Sequence, residues 1–548
     1  MEFYKVIKLL LAFLFFALGA IHQSYASTIK LGSTYCEDRT CKFVPNVLDF
    51  NKATAVGTFN DAILSTGWGI LDISAGNVPV KGQTDADIMF AAGFVEGVLT
   101  AEQMEYQFIN LFDTFFPTPV DENLLKELDQ WFIKQRHWAD NMIKSYPDNP
   151  FWRHASYIFA QLDGLLAGYK STLSKSNVTL DLFALNFLNA NGDLFDLLKV
   201  LKPSSIQDWR RFSQQEARNY FYSTGHCSVL IKLLPGFENL FMSHSSWFVY
   251  AATNRIYKHY NLNVSDSATA SRKISFSSYP GYLESLDDFY HLGSGMAMLQ
   301  TTNNIFNSSL YEYVSPQSLL AWQRVRIANM MARSGKEWTD VVAKYNSGTY
   351  NNQYMVIDLK LIKLGQPLPD NTIWVAEQIP GLVVAEDLTP ILRAGYFPSY
   401  NIPFFEEIFN KSGYPEYVKV HGTEFSYQLA PRAKIFRRDQ SKVKDMKSMK
   451  AVMRSNDYKN DTYSGGSAWG AICARGDLVD EAPSASGCYD TKVSDFKMAL
   501  KFQADIINGP TVDSGLSPFS WTGDFASLSH VGLPQTYNFT FIQTKPRF

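Results

Sequence analysis

The spacing of the apolar residues changes before the middle of the chain, and this change constrains the fold more than any other sequence feature. From about 91 to 222 the apolar residues recur at helical spacing. From 226 onward, "HCSVLIKLL" and "ENLFMSHSSW" flank Pro235 and Gly236, which predicts a β-hairpin. Further strand-like runs follow, interrupted by a helix that we expect to begin at Ser315. The alternation predicts an α+β fold with layers of both kinds around one large core.

The composition allows a large core and gives no sign of a nucleic-acid partner. Of the 548 residues, 46% are hydrophobic and 15% aromatic, while 50 basic residues nearly balance 53 acidic ones. Such a chain can bury a sizeable core, and no electrostatic footprint for nucleic acid stands out. The densest basic run, Arg432 to Lys450, is interpreted as a solvated face; the alternative is a surface for an anionic ligand or lipid head group. We therefore expect small or amphipathic partners.

Residues 1–26 have the pattern of a secretory signal peptide. Two lysines precede or border the apolar stretch "LLLAFLFFALGAI", and Ser24 to Ala26 offer a cleavage site. A membrane anchor is the alternative, but the stretch is shorter than the ~20 residues that a span needs. We expect a secreted or lysosomal glycoprotein without a transmembrane span. Six N-x-[ST] sequons agree with this route and lie at Asn177, Asn263, Asn307, Asn410, Asn460 and Asn538.

Five cysteines leave one without a partner when neighbours in the sequence are paired. In an oxidising compartment cysteines are expected to form disulfides. Cys36 can close a small loop with Cys41, and Cys473 can close another with Cys488. These pairings follow from sequence proximity alone, and other connectivities are possible. Under this pairing Cys227, at the head of the predicted hairpin, is the free thiol.

The sequence lacks the common motifs of serine, metal and nucleotide chemistry. No G-x-S-x-G occurs, no H-E-x-x-H occurs, the nine histidines are scattered, and the glycine-rich nucleotide motifs are absent. We therefore predict no metal and no cofactor, which leaves Cys227 as the nucleophile candidate. His226 is a poor base for it, because neighbours on a strand point to opposite faces. Cleavage between His226 and Cys227 would instead create an α-amine with a pKa of ~7.7 to 8 on the nucleophile's own residue.

This arrangement resembles an N-terminal nucleophile hydrolase, and almost the whole mature chain closely resembles the phospholipase B-like, or lamina-ancestor, family. Seven blocks in family order carry the resemblance: "AAGFVEGVLT" (91–100), "GHCSVLIKLLP" (225–235), "SHSSW" (243–247), "SYPGYLESLDDFY" (278–290), "NSGTYNNQYMVID" (346–358), "LAPRAKIFRRD" (429–439) and "SHVGLPQTYNFTF" (529–541).

The resemblance implies a four-layer αββα sandwich that cleaves itself before Cys227. The two products, 27–226 (largely helical) and 227–548, would stay associated as one domain. The activity implied by the family is removal of fatty acyl chains from phospholipids, without a cofactor.

The blocks also supply candidates for the rest of the site. His244, Asn346 and Asn351 are predicted to take part in catalysis beside Cys227, as oxyanion donors or orienting groups. Thr301 and Trp247 are predicted to contact substrate. Three of these residues have a structural alternative: His244 can be a hydrogen-bonded structural histidine and Trp247 a core residue, while Asn346 can cap the preceding helix.

One departure leaves the substrate open. Bile-salt and penicillin V hydrolases carry R-N-x-D-W on the second strand of the hairpin, and the matching segment here is "SHSSW", in which Ser243 and Ser246 replace the charged residues. Two other hypotheses therefore accompany the phospholipid hydrolase. One is an amidase on lipid amides or peptides that uses the same nucleophile. The other is a glycoprotein that cleaves itself and turns over nothing.

Overall fold

The computed structural model describes residues 27–79, 82–172, 178–224 and 227–548. The predicted signal peptide, Asn177 and His226 lie outside the described residues. The strands are, in chain order, β1 (Thr28–Glu37), β2 (Thr40–Pro45), β3 (Ala55–Asp61), β4 (Trp68–Ala75), β5 (Ser228–Leu233), β6 (Leu240–Ser245), β7 (Trp247–Val249), β8 (Arg255–Leu262), β9 (Lys273–Ser278), β10 (Tyr290–Leu292), β11 (Met296–Thr302), β12 (Asn352–Asp358), β13 (Ile373–Ile379), β14 (Leu382–Asp387), β15 (Tyr396–Ser399), β16 (Ser486–Cys488), β17 (Asp490–Asp495), β18 (Ala504–Asn508) and β19 (Ile542–Thr544).

The α-helices concentrate in two parts of the chain, before β5 and between β14 and β16. They are α1 (Ile63–Thr66), α2 (Asp85–Phe115), α3 (Glu122–Ser145), α4 (Pro150–Lys170), α5 (Leu182–Asn189), α6 (Asn191–Leu201), α7 (Gln214–Thr224), α8 (Ala321–Met331), α9 (Gly335–Val342), α10 (Thr389–Arg393), α11 (Glu406–Lys411), α12 (Tyr414–His421), α13 (Pro431–Asp439), α14 (Met446–Arg454) and α15 (Phe496–Ala499).

Two large sheets organise the described residues, which confirms the prediction of an α+β fold. Eleven strands form one sheet in the order β14-β13-β12-β11-β10-β9-β8-β4-β3-β1-β2, and six form the other in the order β15-β5-β6-β17-β18-β19. Strands β7 and β16 form a separate pair. The pairing of β4 with β8 is parallel, so the segment before Cys227 is hydrogen-bonded into the same sheet as the segment after it.

The side chains of the predicted hairpin alternate between two apolar clusters. Val229 and Ile231 on β5 pack with residues of the large sheet, such as Val375. Leu230, between them, packs with helices α12 to α14, as does Phe241 on β6. This alternation is the one expected of a strand that is buried on both faces. Because of this alternation, the side chains at the start of β5 point alternately toward the large sheet and toward the helices.

Four glycines let helices α2 and α4 touch backbone to backbone. They are Gly93 and Gly97 on α2, and Gly164 and Gly168 on α4. A Cβ added to any of them would lie 2.0 to 2.2 Å from a carbonyl oxygen of the other helix. Close packing of the two helices therefore accounts for the two glycines in "AAGFVEGVLT", because no larger residue fits at these positions.

The helix expected to begin at Ser315 begins instead at Ala321, which corrects the sequence prediction. The reason is a tertiary contact: the Ala321 N–H donates to Asp193 Oδ1 over 3.1 Å, and the carboxylate comes from α6, far away in the sequence. Local propensity at Ser315 is therefore overridden by a distant helix cap.

Both cysteine pairings expected from sequence proximity are present. Cys36 and Cys41 face each other across β1 and β2 and form a disulfide, as do Cys473 and Cys488. Cys227 is free and buried. Among the sequons, Asn307, Asn410, Asn460 and Asn538 are exposed and Asn263 is partly exposed. Within the described residues, no helix has both the length and the apolar character that crossing a bilayer requires.

Glu377 on β13 is a fully buried carboxyl with several donors. It accepts hydrogen bonds from the backbone N–H of Phe404 (2.7 Å) and of Phe405 (3.0 Å), and from Gln353 Nε2 (2.5 Å). Burial nevertheless outweighs these donors and raises the pKa of Glu377 from 4.5 to about 7. The folded chain therefore holds a proton here at mildly acidic pH.

We expect the free energy of unfolding to fall as pH rises through this range. Because the pKa of Glu377 is higher in the folded chain, the folded state binds more protons than the unfolded state. The contribution of Glu377 to the free energy of unfolding is therefore lost as pH rises from about 4.5 to about 7. The shift corresponds to about 3 kcal/mol. Glu377→Gln should flatten this part of the pH profile in calorimetric or denaturant unfolding. Glu386→Gln, at an exposed position on the neighbouring strand β14, is the control, and an unchanged slope in Glu377→Gln would contradict the assignment.

Candidate active site

Cys227 lies directly before β5 and is only 3% exposed. Its backbone has φ 88°, in the left-handed region that a residue with a Cβ rarely adopts. Such a conformation costs of order 1–3 kcal/mol and persists only where neighbouring contacts impose it. The thiol is thus held on a strained residue directly before a buried strand.

Arg432 imposes the position of Cys227. Its Nη1 donates to the Cys227 carbonyl oxygen (2.7 Å) and to Ser228 Oγ (3.1 Å), and its Nη2 donates to Asn401 Oδ1 (2.7 Å). The guanidinium also lies 4.2 Å from the ring centre of Trp247. A planar, always charged group can make all of these contacts at once, whereas a lysine cannot. Arg432, in the run interpreted as a solvated face, is in fact buried against the candidate nucleophile.

The thiol of Cys227 is protonated in this environment. Burial raises its pKa to about 12, although a hydrogen bond from the Trp247 backbone N–H and the charge of Lys492 act in the opposite direction. A thiol at such a pKa is a weak nucleophile. Any reaction of Cys227 therefore needs a base or a change in its surroundings.

A small aromatic cavity of about 20 Å³ adjoins the thiol. That volume accommodates about one water molecule, so the cavity is too small for an acyl chain. Its lining is mainly aromatic and consists of Phe195, Cys227, Ser246, Trp247, Phe248, Tyr279, Leu286, Asp287, Tyr350 and Tyr489. Trp247 lines this cavity together with Cys227, and its contact with substrate stays a prediction.

Four buried charges form a balanced cluster at the polar side of this cavity, which we call the ion quartet. It consists of Asp287, Asp490, Arg255 and Lys492, each with a side chain at most 2% exposed. Arg255 Nη2 lies 2.9 Å from Asp287 and 3.1 Å from Asp490. Lys492 Nζ lies 2.6 Å and 2.8 Å from the same two carboxylates. Two positive and two negative charges cancel, as buried charges must.

Ser246 connects the ion quartet to the cavity. Its hydroxyl donates to Asp287 Oδ2 (3.1 Å) and accepts from Lys492 Nζ (2.6 Å). Its backbone N–H donates to Asp490 Oδ1 over 3.0 Å. The serine that stands in place of an aspartate in the R-N-x-D-W pattern therefore binds an aspartate supplied by another segment, while Arg432 supplies a guanidinium beside Trp247.

Two neighbouring carboxyls on the loop before β10 are in opposite states. Burial alone would raise the pKa of Asp287, but Arg255 and Lys492 hold it well below its usual value. Asp288 has a pKa raised well above its usual value by burial and by the charge of Asp287. Neither carboxyl oxygen of Asp288 has a hydrogen-bond partner among the described residues. Such a divergence of neighbouring carboxyls is typical of functional sites.

His244 contacts the ion quartet and does not line the cavity. Its Nε2 lies 3.0 Å from the Gln300 carbonyl oxygen and its Nδ1 lies 2.9 Å from Lys492 Nζ. Because a carbonyl accepts and an ammonium donates, the proton is on Nε2 and Nδ1 is the acceptor. Burial and the charge of Lys492 keep the pKa of His244 well below its usual value. This geometry favours a positioning role for His244, and its part in catalysis stays a prediction.

The other predicted site residues also lie outside the cavity lining. Thr301 Oγ1 is 2.6 Å from Ser399 Oγ. Asn346 donates to the Ile379 carbonyl oxygen (3.0 Å), and Asn351 donates to Asp196 Oδ2 (3.0 Å). The two asparagines hold the ends of the loop that presents Tyr350 to the cavity. Their direct roles in substrate binding or catalysis stay predictions.

One group of ligand-type atoms lies in this region. Atoms of His244, Asp287 and Asp490 all lie within 4.8 Å of one another. The ammonium of Lys492 and the guanidinium of Arg255 already contact both carboxylates. A divalent cation would add charge to a balanced cluster, so the donor set does not fit a metal.

Residues of the site that the sequence reasoning did not identify come from distant segments. Asp287 lies in "SYPGYLESLDDFY" and Arg432 lies in "LAPRAKIFRRD", but the sequence patterns predict no site role for either residue. A usable signal for Arg432 is its position directly after Pro431, in the first turn of a helix whose apolar face is buried.

Comparison with known proteins places these observations in one family. The family model described as "Phospholipase B" matches residues 55–544. The chain is 51% identical to "Phospholipase B-like 1" of Bos taurus over 504 residues, which cover 92% of this chain and 90% of the relative. It is 52% identical to "Phospholipase B" of Crotalus adamanteus over 506 residues, with the same coverage. It is 49% identical to "Phospholipase B-like 1" of Homo sapiens over 506 residues, which cover 92% and 89%.

Proposed function

Because the chain belongs to the phospholipase B family, we propose that it removes fatty acyl chains from phospholipids with Cys227 as the nucleophile. The observation that carries the proposal is the free, buried thiol of Cys227 at the head of β5, beside an aromatic cavity, in a chain about half identical to phospholipases B.

Maturation would begin with attack of the Cys227 sulfur on the carbonyl carbon of His226. The C–S bond forms as the His226–Cys227 C–N bond breaks, and the thiol proton passes to the departing nitrogen. Water then hydrolyses the thioester, which releases the His226 carboxyl group and regenerates the thiol. The left-handed φ of Cys227 supports this step, since cleavage relieves strain at that junction.

The uncleaved site has a protonated thiol without a base, and its cavity is too small for an acyl chain. Cleavage would change both. It creates an α-amine on Cys227 with a pKa of ~7.7 to 8, which can take the thiol proton. It also removes the peptide bond on the amino side of Cys227, next to a cavity whose volume of about 20 Å³ does not admit an acyl chain. Arg432 keeps the Cys227 carbonyl in place while the amino side is released.

Turnover would follow the same chemistry on an ester. The thiolate attacks the acyl carbonyl carbon, and the C–O bond breaks as the protonated α-amine returns its proton to the lyso-lipid oxygen. Water, activated by the amine, then hydrolyses the acyl-thioester and releases the fatty acid. The aromatic lining offers apolar contact for the first carbons of the chain.

We also propose the finer architecture and route that the family implies. Helices pack on one face of β5 and the large sheet packs on the other, which supports an αββα sandwich of the N-terminal nucleophile type. Parallel pairing of β4 with β8 would hold the fragments 27–226 and 227–548 together after cleavage. Two disulfides and the exposed sequons support a secreted or lysosomal glycoprotein.

Substrate profiling tests the proposal against its alternatives. The cleaved protein would be incubated with a diacyl phosphatidylcholine and with an N-acyl amide of the same acyl chain, and the released fatty acid quantified. Release from the phospholipid alone is the expected result. Release from the amide alone would identify an amidase, and release from neither would favour a self-cleaving glycoprotein without turnover.

Arg432→Met is expected to slow both cleavage and turnover without unfolding the chain. The methionine keeps apolar contact with Trp247 but removes the donors to the Cys227 carbonyl and to Asn401. Loss of charge-assisted hydrogen bonds that position the nucleophile should reduce kcat/KM by about 10- to 100-fold. Arg437→Met, on the exposed face of the same helix, is the matched control. Equal rates in the two variants would show that Arg432 does not position Cys227.

A further inference from the structure

A second cleft, of about 710 Å³, opens at the other end of β5. It lies between the turn that follows β5, the loop between α10 and β15, and the segment between α13 and α14. Lys232, which lines it, is five residues beyond Cys227 on an extended strand. At ~3.3 Å per residue the two positions are about 17 Å apart. The cleft is therefore separate from the thiol cavity.

Lys232 places a buried ammonium on the wall of this cleft. The residue is only 5% exposed, and its Nζ donates to Gln440 Oε1 over 2.7 Å. Within the described residues it forms no ion pair with a carboxylate. Burial lowers the pKa of Lys232, as expected for a charge removed from water. A buried cation with a neutral amide partner is costly unless an anion completes its surroundings.

The mouth of the cleft carries further positive charge. Arg393 and Lys444 line it, together with the hydroxyl of Ser441 and one carboxylate, the exposed Glu238. Arg393 also contacts Asp370 (2.5 Å), whose side chain is 71% exposed and lies outside the lining. The lining thus holds three cationic side chains against a single anionic one, and its most buried polar residue is Lys232.

The basic run from Arg432 to Lys450 contains ion-paired residues and residues that line the cleft. Arg438 and Lys442 are paired with Asp439, and Lys450 is paired with Asp505. The middle of the run contributes to the cleft instead, through Gln440, Ser441 and Lys444. Part of a segment that looks like a solvated face therefore lines a concave, cationic surface.

We propose that this cleft binds a phosphate ester, with Lys232 as its buried anchor and with Arg393 and Lys444 at its mouth. Lysine and arginine together are the usual partners of phosphate oxygens. The volume is typical of small-molecule sites and exceeds that of a bare phosphate, so it leaves room for an attached polyol. The ester can belong to a soluble metabolite or to a phospholipid head group. This site does not depend on the acyl hydrolase activity proposed above.

Titration with sodium phosphate and glycerol 3-phosphate tests the site, with binding measured by calorimetry. The wild-type chain should bind glycerol 3-phosphate, and Lys232→Met, which retains an apolar stem, should weaken binding by about tenfold or more. Lys444→Gln, at an exposed position, should weaken it by about threefold. Lys419→Gln, an exposed lysine outside the lining, should bind as the wild type does.

Co-sedimentation with vesicles distinguishes the two sources of phosphate. Vesicles that contain phosphatidylglycerol are compared with vesicles of phosphatidylcholine alone, for the wild type and for Lys444→Gln. Lysine-dependent binding to phosphatidylglycerol vesicles would assign a lipid head group, and lysine-dependent binding of the soluble ester alone would assign a soluble ligand. Absence of both, or equal binding by Lys232→Met, Lys444→Gln and the wild type, would overturn the proposal. If Lys232→Met does not fold, Lys444→Gln and Arg393→Gln decide.

Discussion

Cys227→Ala is expected to leave the chain in one piece and to lower fatty acid release by about a thousandfold or more, since the variant has no nucleophile. The sulfur is the atom that both the cleavage and the turnover require. The substitution removes one buried atom at a site whose cavity is small, so the fold should persist. N-terminal sequencing and intact mass report cleavage, and release of labelled fatty acid reports turnover.

Cys227→Ser is the matched variant, because it keeps the size of the side chain and changes the nucleophilic atom. Slow cleavage with residual turnover would fit a hydroxyl that depends more strongly on a base than a thiol does. Two results would contradict the mechanism. One is a wild-type protein in which no fragment begins at Cys227 while the intact chain is active, and the other is a Cys227→Ala variant with normal turnover.

The sequence predicts the hairpin and the thiol well because the information is local. Alternation in "HCSVLIKLL", the turn at Pro235 and Gly236, and the proximity of the other cysteines all lie within short segments. Cys227 can be singled out by elimination. Trp247 is predicted at the end of the second strand, whereas in the structure β6 ends at Ser245 and Trp247 begins β7. The structure places both in one cavity.

The ion quartet could not be predicted in the same way, because its members lie on different segments. Arg255 begins β8, Asp287 lies on the loop before β10, and Asp490 and Lys492 lie on β17. Only the tertiary pairing of strands brings these charges together. Their balance is a property of the assembled fold, and no periodicity in one segment encodes it.

Strands β1 to β4 are a second case of non-local information. Their sequences mix glycine, serine and threonine with apolar residues, and the patterns analysed above do not predict them. Their place in the large sheet depends on the parallel pairing of β4 with β8, in which Trp68 lies opposite Arg255. Local propensity carries little information about such long-range pairs.

The contrast between two adjacent carboxyls now has a functional meaning. Asp287 is ionised and holds Ser246, Lys492 and Arg255 at the polar side of the thiol cavity. Asp288, one residue later, is neutral and unpaired among the described residues. The charge of Asp287 therefore holds these side chains in place. Asp288 is uncharged, so a neutral substitution there removes no charge.

Asp287→Asn is expected to destabilise the fold by about 3–5 kcal/mol, because it leaves two buried cations against one buried carboxylate. Denaturant unfolding measures the change, and fatty acid release should fall with it because Ser246 and Lys492 lose one of their two carboxylate partners. Asp288→Asn is the matched control: it replaces a neutral carboxyl with a neutral amide of the same size and should change the free energy of unfolding by less than about 1 kcal/mol.

The double variant Asp287→Asn with Lys492→Met restores the charge balance and should recover part of the lost stability. Equal destabilisation by the two asparagine substitutions, or no recovery in the double variant, would show that the balance of charge in the ion quartet does not hold this site together.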